Sequence, residues 1–365
     1  MFFFFIFACK DTKKINYPAC FGPKFAIFVY LCTMICTSIS RFAPFRCHFL
    51  LCLVLLVTAA CSTAERAEGE YDRLVCGSSV QASLIVRLGA ADRLLGVLDK
   101  DYIVDSTLLR LPLRDYGSIT SPRLEQLAAD RPGALLLSPV EGQSYGPLAS
   151  LGIPIIDCRD YLEPTPLSQA AWMKFYGRLV GQAERADSLY EEVEKHYNAL
   201  KITLTAQEGS LPRTPEEGDQ RAATSQLPPR GDGGGLLLVD LPMNGEWRVP
   251  CGGSYLGTLY RDAGLRYAFA DIDGTGSTPL SIEKVVAEAA EADVWFIKYY
   301  APDDWTYARL LGEYPFCERI KAFREHHVYG CNTAHVPYYE QAPFAPDLLL
   351  EDFAGRSQHF FTPLE

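Results

Sequence analysis

Short apolar runs alternate with amphipathic stretches from residue 72 to the end of the chain. The runs have the length of buried strands, and the stretches between them repeat apolar residues at helical spacing. Strands are predicted at 73–76, 94–98, 134–137, 153–156, 236–239, 294–297 and 327–329. Helices are predicted at 80–88, 122–130, 255–263, 282–290 and 342–353. Apolar strands that alternate with helices indicate an α/β fold, in which helices cover both faces of a parallel sheet.

The middle of the chain contains the longest helical pattern. An apolar stripe starts at Trp172, pauses at Gly181 and resumes to Leu204, and its second part would form a helix roughly 30 Å long at 1.5 Å per residue. Residues 206–235 break this pattern with four prolines, a run of three glycines and few apolar residues. Such a composition predicts a flexible insertion without a core of its own.

The amino-terminal region differs from the rest. Arg41 and Arg46 precede an apolar run at 48–57, and small residues then lead to Cys61. This order predicts a secretory signal within residues 1–60. A cysteine after the cleavage site resembles a bacterial lipoprotein signal, which implies lipidation of Cys61 and a tether at 61–70; an uncleaved anchor helix is the alternative. A signal that begins at Met34 would have a normal length, so we expect residues 1–33 to be a mis-assigned start.

The net charge and the cysteine content reduce the number of possible partners and metal sites. The net charge of −11 argues against nucleic acid as a partner, because phosphate binding needs a basic surface. Five cysteines follow Cys61, and their spacing fits no zinc motif. Buried thiols are therefore the favoured interpretation of Cys76, Cys158, Cys251, Cys317 and Cys331.

Four stretches resemble periplasmic binding proteins of ABC importers for iron-siderophores, haem and cobalamin. They are the I-V-R-L-G-A-A-D-R-L-L-G-V run within 84–97, L-E-Q-L-A-A-D-R-P-G-A-L-L-L-S at 124–138, L-G-I-P-I-I at 151–156 and S-I-E-K-V at 281–285. The resemblance implies two Rossmann-like α/β lobes joined by a long backbone helix. The lobes would span 71–165 and 236–365, with connecting helices at 166–205.

The resemblance also implies a partner, a cargo and a location. One glutamate on each lobe would dock onto the permease of an ABC permease and ATPase complex, and by motif these are Glu125 and Glu283. The cargo would be a metal chelate, carried by a monomer held by lipid on the periplasmic side of a bacterial envelope. No enzymatic activity, resident metal or cofactor is expected, because the cargo is transported.

Ligands of α/β proteins bind beyond the carboxyl ends of the strands, and the loops predicted there are rich in aromatic and polar residues. Aromatic faces suit a flat macrocycle or chelate, and cations suit its negative groups. The predicted ligand-binding residues are Tyr116, Tyr145, Trp247, Arg248, Tyr255, Tyr299, Tyr300, Trp305, His335 and Tyr339.

The sequence leaves the choice of ligand and two other functions open. Haem needs an axial ligand, for which Tyr255, His335 and Tyr339 are candidates, whereas siderophores and cobalamin need no bond between protein and metal. The adjacent His326 and His327 are a weaker metal candidate. The alternatives to a transport protein are an extracytoplasmic enzyme such as a chelatase, and a sensor lipoprotein with the same fold.

Overall fold

The computed structural model describes residues 70–139, 145–208 and 235–365, with backbone only for 206–208. Residues 1–69, 140–144 and 209–234 lie outside the described residues. The predicted signal, Cys61 and most of the predicted insertion therefore also lie outside them.

The first half of the chain forms a five-stranded sheet in the order β3-β2-β1-β4-β5, with all neighbours parallel. Its elements are β1 (Leu74–Cys76), α1 (Ser79–Arg87), β2 (Leu94–Val97), α2 (Ser106–Leu109), β3 (Arg114–Asp115), α3 (Leu124–Asp130), β4 (Ala134–Leu137) and β5 (Ile155–Asp157).

Three helices connect this sheet to the second half of the chain. They are α4 (Pro166–Ala170), α5 (Trp172–Leu179) and α6 (Ala183–Glu208). The 26 residues of α6 form the predicted backbone helix. This helix ends at Glu208, so the predicted start of the insertion at residue 206 is too early.

The second half forms another five-stranded sheet, in the order β12-β11-β10-β6-β8, and a separate two-stranded ribbon of β7 and β9. Its elements are β6 (Leu236–Val239), β7 (Glu246–Pro250), α7 (Tyr255–Asp262), β8 (Arg266–Tyr267), β9 (Ser277–Ser281), α8 (Ile282–Glu288), β10 (Val294–Tyr299), α9 (Tyr307–Glu313), α10 (Lys321–Arg324), β11 (Val328–Asn332), α11 (Tyr338–Gln341), α12 (Pro346–Phe353) and β12 (Thr362–Pro363). Only β12 is antiparallel to its neighbour in the larger sheet.

Two helices of the second half, α7 and α8, begin where a serine supplies a side-chain cap. The Ser254 hydroxyl accepts a hydrogen bond from the backbone N–H of Gly257 at 3.1 Å, and Ser281 accepts one from Lys284 at 3.2 Å. Each bond satisfies a donor that the first turn of a helix leaves unpaired. The helices α7 and α8 therefore start within a residue of their predicted positions.

The two sheets confirm the predicted twin-lobed α/β fold and share four parallel strands in the same arrangement, β2-β1-β4-β5 in one lobe and β8-β6-β10-β11 in the other. They differ in the fifth strand, since β3 lies beside β2 whereas β12 lies beside β11 and is antiparallel to it. The first strand of each lobe lies centrally, with β1 between β2 and β4, and β6 between β8 and β10. The strand β4 of the first lobe corresponds to β10 of the second. The helix before this strand is α3 in the first lobe and α8 in the second. Glu125 and Glu283 therefore occupy equivalent places, each in the first turn of its helix.

The lobes meet where α11 packs against α1. The Glu340 side chain lies at this contact, in a residue only 4% exposed. Its Oε1 accepts hydrogen bonds from the backbone N–H of Val104 at 2.8 Å and of Asp105 at 3.3 Å. Beside it, Arg87 donates to the carbonyl of Phe344 at 3.1 Å. A cavity of about 470 Å³, lined by residues of both lobes, opens next to these bonds.

Replacement of Glu340 by alanine is expected to lower the free energy of unfolding by about 2 kcal/mol, because two buried amides lose a charged acceptor. Chemical denaturation measures this loss. The exposed Glu313, whose carboxylate lies 3.9 Å from Arg309, supplies the control. Its alanine variant should lose at most about 0.5 kcal/mol. Equal losses in the two variants would contradict the assigned role of Glu340.

None of the helices within the described ranges combines the length and apolar character needed to cross a bilayer.

Candidate functional site: a groove at the strand ends

A groove of about 390 Å³ opens at the carboxyl ends of β6 and β10 in the second lobe. We call it the strand-end groove. Its described lining consists of Asp240, Leu241, Met243, Asn244, Glu246, Arg248, Lys298 and Tyr339. The groove lies at the edge of the sheet where ligands of open α/β folds bind. Its described lining comes from the second lobe alone.

An ion pair lies at the groove. The Lys298 ammonium is 2.5 Å from a carboxylate oxygen of Asp240, and the two side chains are only 16% and 23% exposed. Burial alone would lower the pKa of Lys298. The nearby Asp240 and Tyr338 outweigh this effect and raise the pKa, so Lys298 is charged at neutral pH. Its ammonium also lies 5.5 Å from the centre of the Tyr338 ring.

Two hydrogen bonds anchor the backbone of Asp240. Asp240 directly follows β6 and has a left-handed conformation with φ of 59°. Its N–H donates to the carbonyl of Phe296 at 2.8 Å, and its own carbonyl accepts from the indole of Trp295 at 2.9 Å. A second lining residue, Asn244, is also left-handed, with φ of 54°. Aspartate and asparagine tolerate this conformation better than most residues.

Two of the predicted ligand residues, Arg248 and Tyr339, line the groove. Arg248 is exposed on β7, and no hydrogen bond or ion pair of its guanidinium is found among the described residues. Tyr339 is 56% exposed and packs edge-to-face against Tyr338. Tyr339 is also the only one of the three predicted axial residues that lines this groove.

Six other predicted residues of this lobe lie outside the groove lining, and five of them keep some exposed surface. Tyr299 and Trp305 stack on each other with ring centres 4.8 Å apart. The Tyr255 hydroxyl donates to the carbonyl of Ala342 at 3.2 Å. His335 is exposed, with Nε2 2.8 Å from the carbonyl oxygen of Pro302, and Tyr300 is 71% exposed.

Two predicted ligand residues have no exposed surface at all. Trp247 packs between Trp295 and Phe316, and its indole N–H donates to the carbonyl of Val239 at 3.0 Å. Tyr116 is enclosed in the core of the first lobe. Neither ring can touch a ligand in this structure, which corrects the prediction for both residues.

Contacts within the first lobe account for the burial of Tyr116. Its hydroxyl donates to Asp130 at 2.8 Å, and its ring packs on Gly96, where an added Cβ would lie 2.7 Å from the ring. The remaining prediction in this lobe, Tyr145, is half-buried and donates its hydroxyl to Asp157. Its role in ligand binding stays a prediction.

Sequence reasoning missed Asp240, Met243 and Glu246 as lining residues. Asp240 directly follows a correctly predicted strand, so the strand-end rule could have found it. Glu246 is the first residue of an alternating polar and apolar run that forms β7, with burial alternating from Glu246 to Val249. This alternation was the available signal for a strand.

The predicted docking residues Glu125 and Glu283 are exposed. Neither carboxylate makes a hydrogen bond or ion pair within the described part of the chain. Both side chains are thus available to a partner, and their role in docking remains a proposal.

The remaining candidates lie away from the groove. His326 and His327 directly precede β11, at the end of that strand opposite to the strand-end groove. The centre of the His326 ring lies 4.4 Å from the centre of the Tyr307 ring. The five cysteines are free and buried, as the sequence favoured. Burial raises the pKa of the Cys331 thiol to about 12, so it is protonated at neutral pH.

Comparison with known proteins finds solved structures that share this fold. A periplasmic haem-binding protein of Pseudomonas aeruginosa superposes with a TM-score of 0.56 at 18% identity, over 80% of this chain and 96% of that one. An ABC-type Fe³⁺-hydroxamate transport protein of Saccharomonospora viridis superposes with a TM-score of 0.55 at 17% identity, over 79% and 94%. The chain has the fold of the two-lobed periplasmic binding proteins.

Sequence comparison adds one curated relative. The chain is 24% identical, over 273 residues, to an uncharacterized lipoprotein of Methanocaldococcus jannaschii. The match covers 71% of this chain but only 58% of that relative's length. No family model matches the chain.

Proposed function

We propose that the chain is an extracytoplasmic lipoprotein that binds a metal chelate and delivers it to an ABC importer. The cargo would be an iron-siderophore, haem or cobalamin, held in the strand-end groove. Lipid on Cys61 would hold the protein at the membrane, and Glu125 and Glu283 would dock it onto the permease.

The observation that carries this proposal is the chemistry of the groove. It combines the guanidinium of Arg248, which has no partner among the described residues, with the ion-paired Lys298 and the exposed ring of Tyr339 at the ligand-binding edge of a sheet. Cations bind the oxygen atoms of a chelate, and an aromatic face packs against its organic frame. The fold supports the proposal further, since the similar solved structures are named as binding or transport proteins.

Thermal denaturation of the purified protein with a ferric trihydroxamate, haem and cobalamin tests the proposal. A ligand at a hundred times its dissociation constant stabilises the native state by about 2.7 kcal/mol, which raises the melting temperature. We expect Tyr339→Ala to weaken binding about tenfold, because stacking on the ring is lost.

The exposed Tyr300 provides a matched control for Tyr339. It is 71% exposed and lies outside the groove lining, so Tyr300→Ala should leave affinity within about twofold of the unmodified protein. If none of the three ligand classes raises the melting temperature, the proposed function is wrong. Equal losses of affinity in both variants would place the site elsewhere.

A further inference from the structure

The described lining of the strand-end groove is balanced in charge. It contains two acids, Asp240 and Glu246, and two bases, Arg248 and Lys298. One base is already paired, because Lys298 lies 2.5 Å from Asp240. The described lining thus offers one guanidinium without a partner among the described residues and no excess of positive charge.

Ferric chelates differ in the charge that they carry. Three singly charged hydroxamate groups balance a ferric ion and give a neutral complex. Three doubly charged catecholate groups leave the complex a trianion. A trianion that enters a partly buried groove loses hydration, and only an excess of cations would compensate for that loss. A neutral complex does not incur this cost, and its organic frame can pack on Met243 and Tyr339, which are 71% and 56% exposed.

We propose that the strand-end groove selects metal chelates without net charge, and that Asp240 sets this preference by neutralising Lys298. The inference rests on the proposed function and narrows it to one ligand class. The anchored backbone of Asp240 supports it, since its N–H and carbonyl are both bonded to neighbouring residues of β10. The ion pair with Lys298 then holds the carboxylate at the groove.

The substitution Asp240→Asn isolates the charge. Asparagine has the same shape and also accepts the left-handed conformation at this position. The variant leaves Lys298 unpaired and makes the lining net positive. The double variant Asp240→Asn with Lys298→Gln removes the ammonium as well and restores the balance, so it is the matched control.

The experiment is titration of the purified protein and of both variants with a neutral ferric trihydroxamate and a trianionic ferric tris-catecholate. The unmodified protein should bind the neutral complex about 100-fold more tightly, as expected for an uncompensated charge near a partly buried site. Asp240→Asn should strengthen binding of the trianion about tenfold and change binding of the neutral complex little. The double variant should return to the pattern of the unmodified protein.

Several outcomes would overturn the inference. Charge selection is wrong if the unmodified protein binds the trianion as tightly as the neutral complex. It is also wrong if the protein binds haem, which carries two propionates, but neither ferric complex. In both cases the proposal that the protein binds a metal chelate stands. If Asp240→Asn and the double variant behave alike, Asp240 does not set the preference. If none of these ligands nor cobalamin binds, the proposed function itself fails.

Discussion

Reversal of charge at both Glu125 and Glu283 is expected to reduce uptake of the chelate by cells at least about 100-fold, while the purified protein binds the chelate as before. Both side chains are exposed and unpaired within the described residues, and they occupy equivalent positions in the two lobes. Two separated carboxylates on a rigid body set the orientation of a basic partner more than they add affinity. Arginine at both sites would place like charges against that partner, which costs several kcal/mol.

Uptake of labelled chelate by cells that express each variant measures this effect. The matched control reverses two other exposed glutamates, Glu191 on α6 and Glu313 on α9, and should leave uptake near its normal rate. Single reversals at Glu125 or Glu283 should reduce uptake partly. Normal uptake by the Glu125 and Glu283 double variant would remove both residues from the proposed docking surface.

Replacement of Trp247 by alanine is expected to lower the free energy of unfolding by about 3–5 kcal/mol, the usual loss for a large aromatic side chain in a core. The ring has no exposed surface and contacts both Trp295 and Phe316. Its removal would leave a cavity and would also leave the Val239 carbonyl without its donor.

Denaturant titration of the purified variant measures the loss of free energy of unfolding. Binding of the chelate is then measured at a denaturant concentration well below the unfolding midpoint of the variant. Tyr300→Ala is again a suitable control, with an expected change within about 0.5 kcal/mol because the side chain is largely exposed. A Trp247→Ala protein of normal stability that no longer binds the chelate would instead make this tryptophan a ligand residue.

Trp247 and Arg248 illustrate a feature of the site that could not be predicted from the sequence, namely the direction in which each side chain points. Both were expected in one loop that faces the ligand, but they are neighbours on β7 and point to opposite faces of the ribbon. Successive side chains of a strand alternate in direction, so one enters the core and the other reaches the groove. The partner strand β9 lies more than 25 residues further along the chain, where Trp247 pairs with Leu280. A local pattern cannot reveal such a pairing.

The sequence by itself determined the alternation of strands and helices, the two α/β lobes and the long connecting helix. The strands, the helices and the long helical stretch followed from apolar periodicity and capping residues, which act locally. The arrangement as two lobes joined by one backbone helix followed from the resemblance to the periplasmic binding proteins. Only the tertiary structure decided which polar and aromatic residues meet at the strand-end groove. The pair of Asp240 and Lys298 joins the ends of two strands that are adjacent in space and far apart in sequence, and spacing along the chain carries no information about that distance.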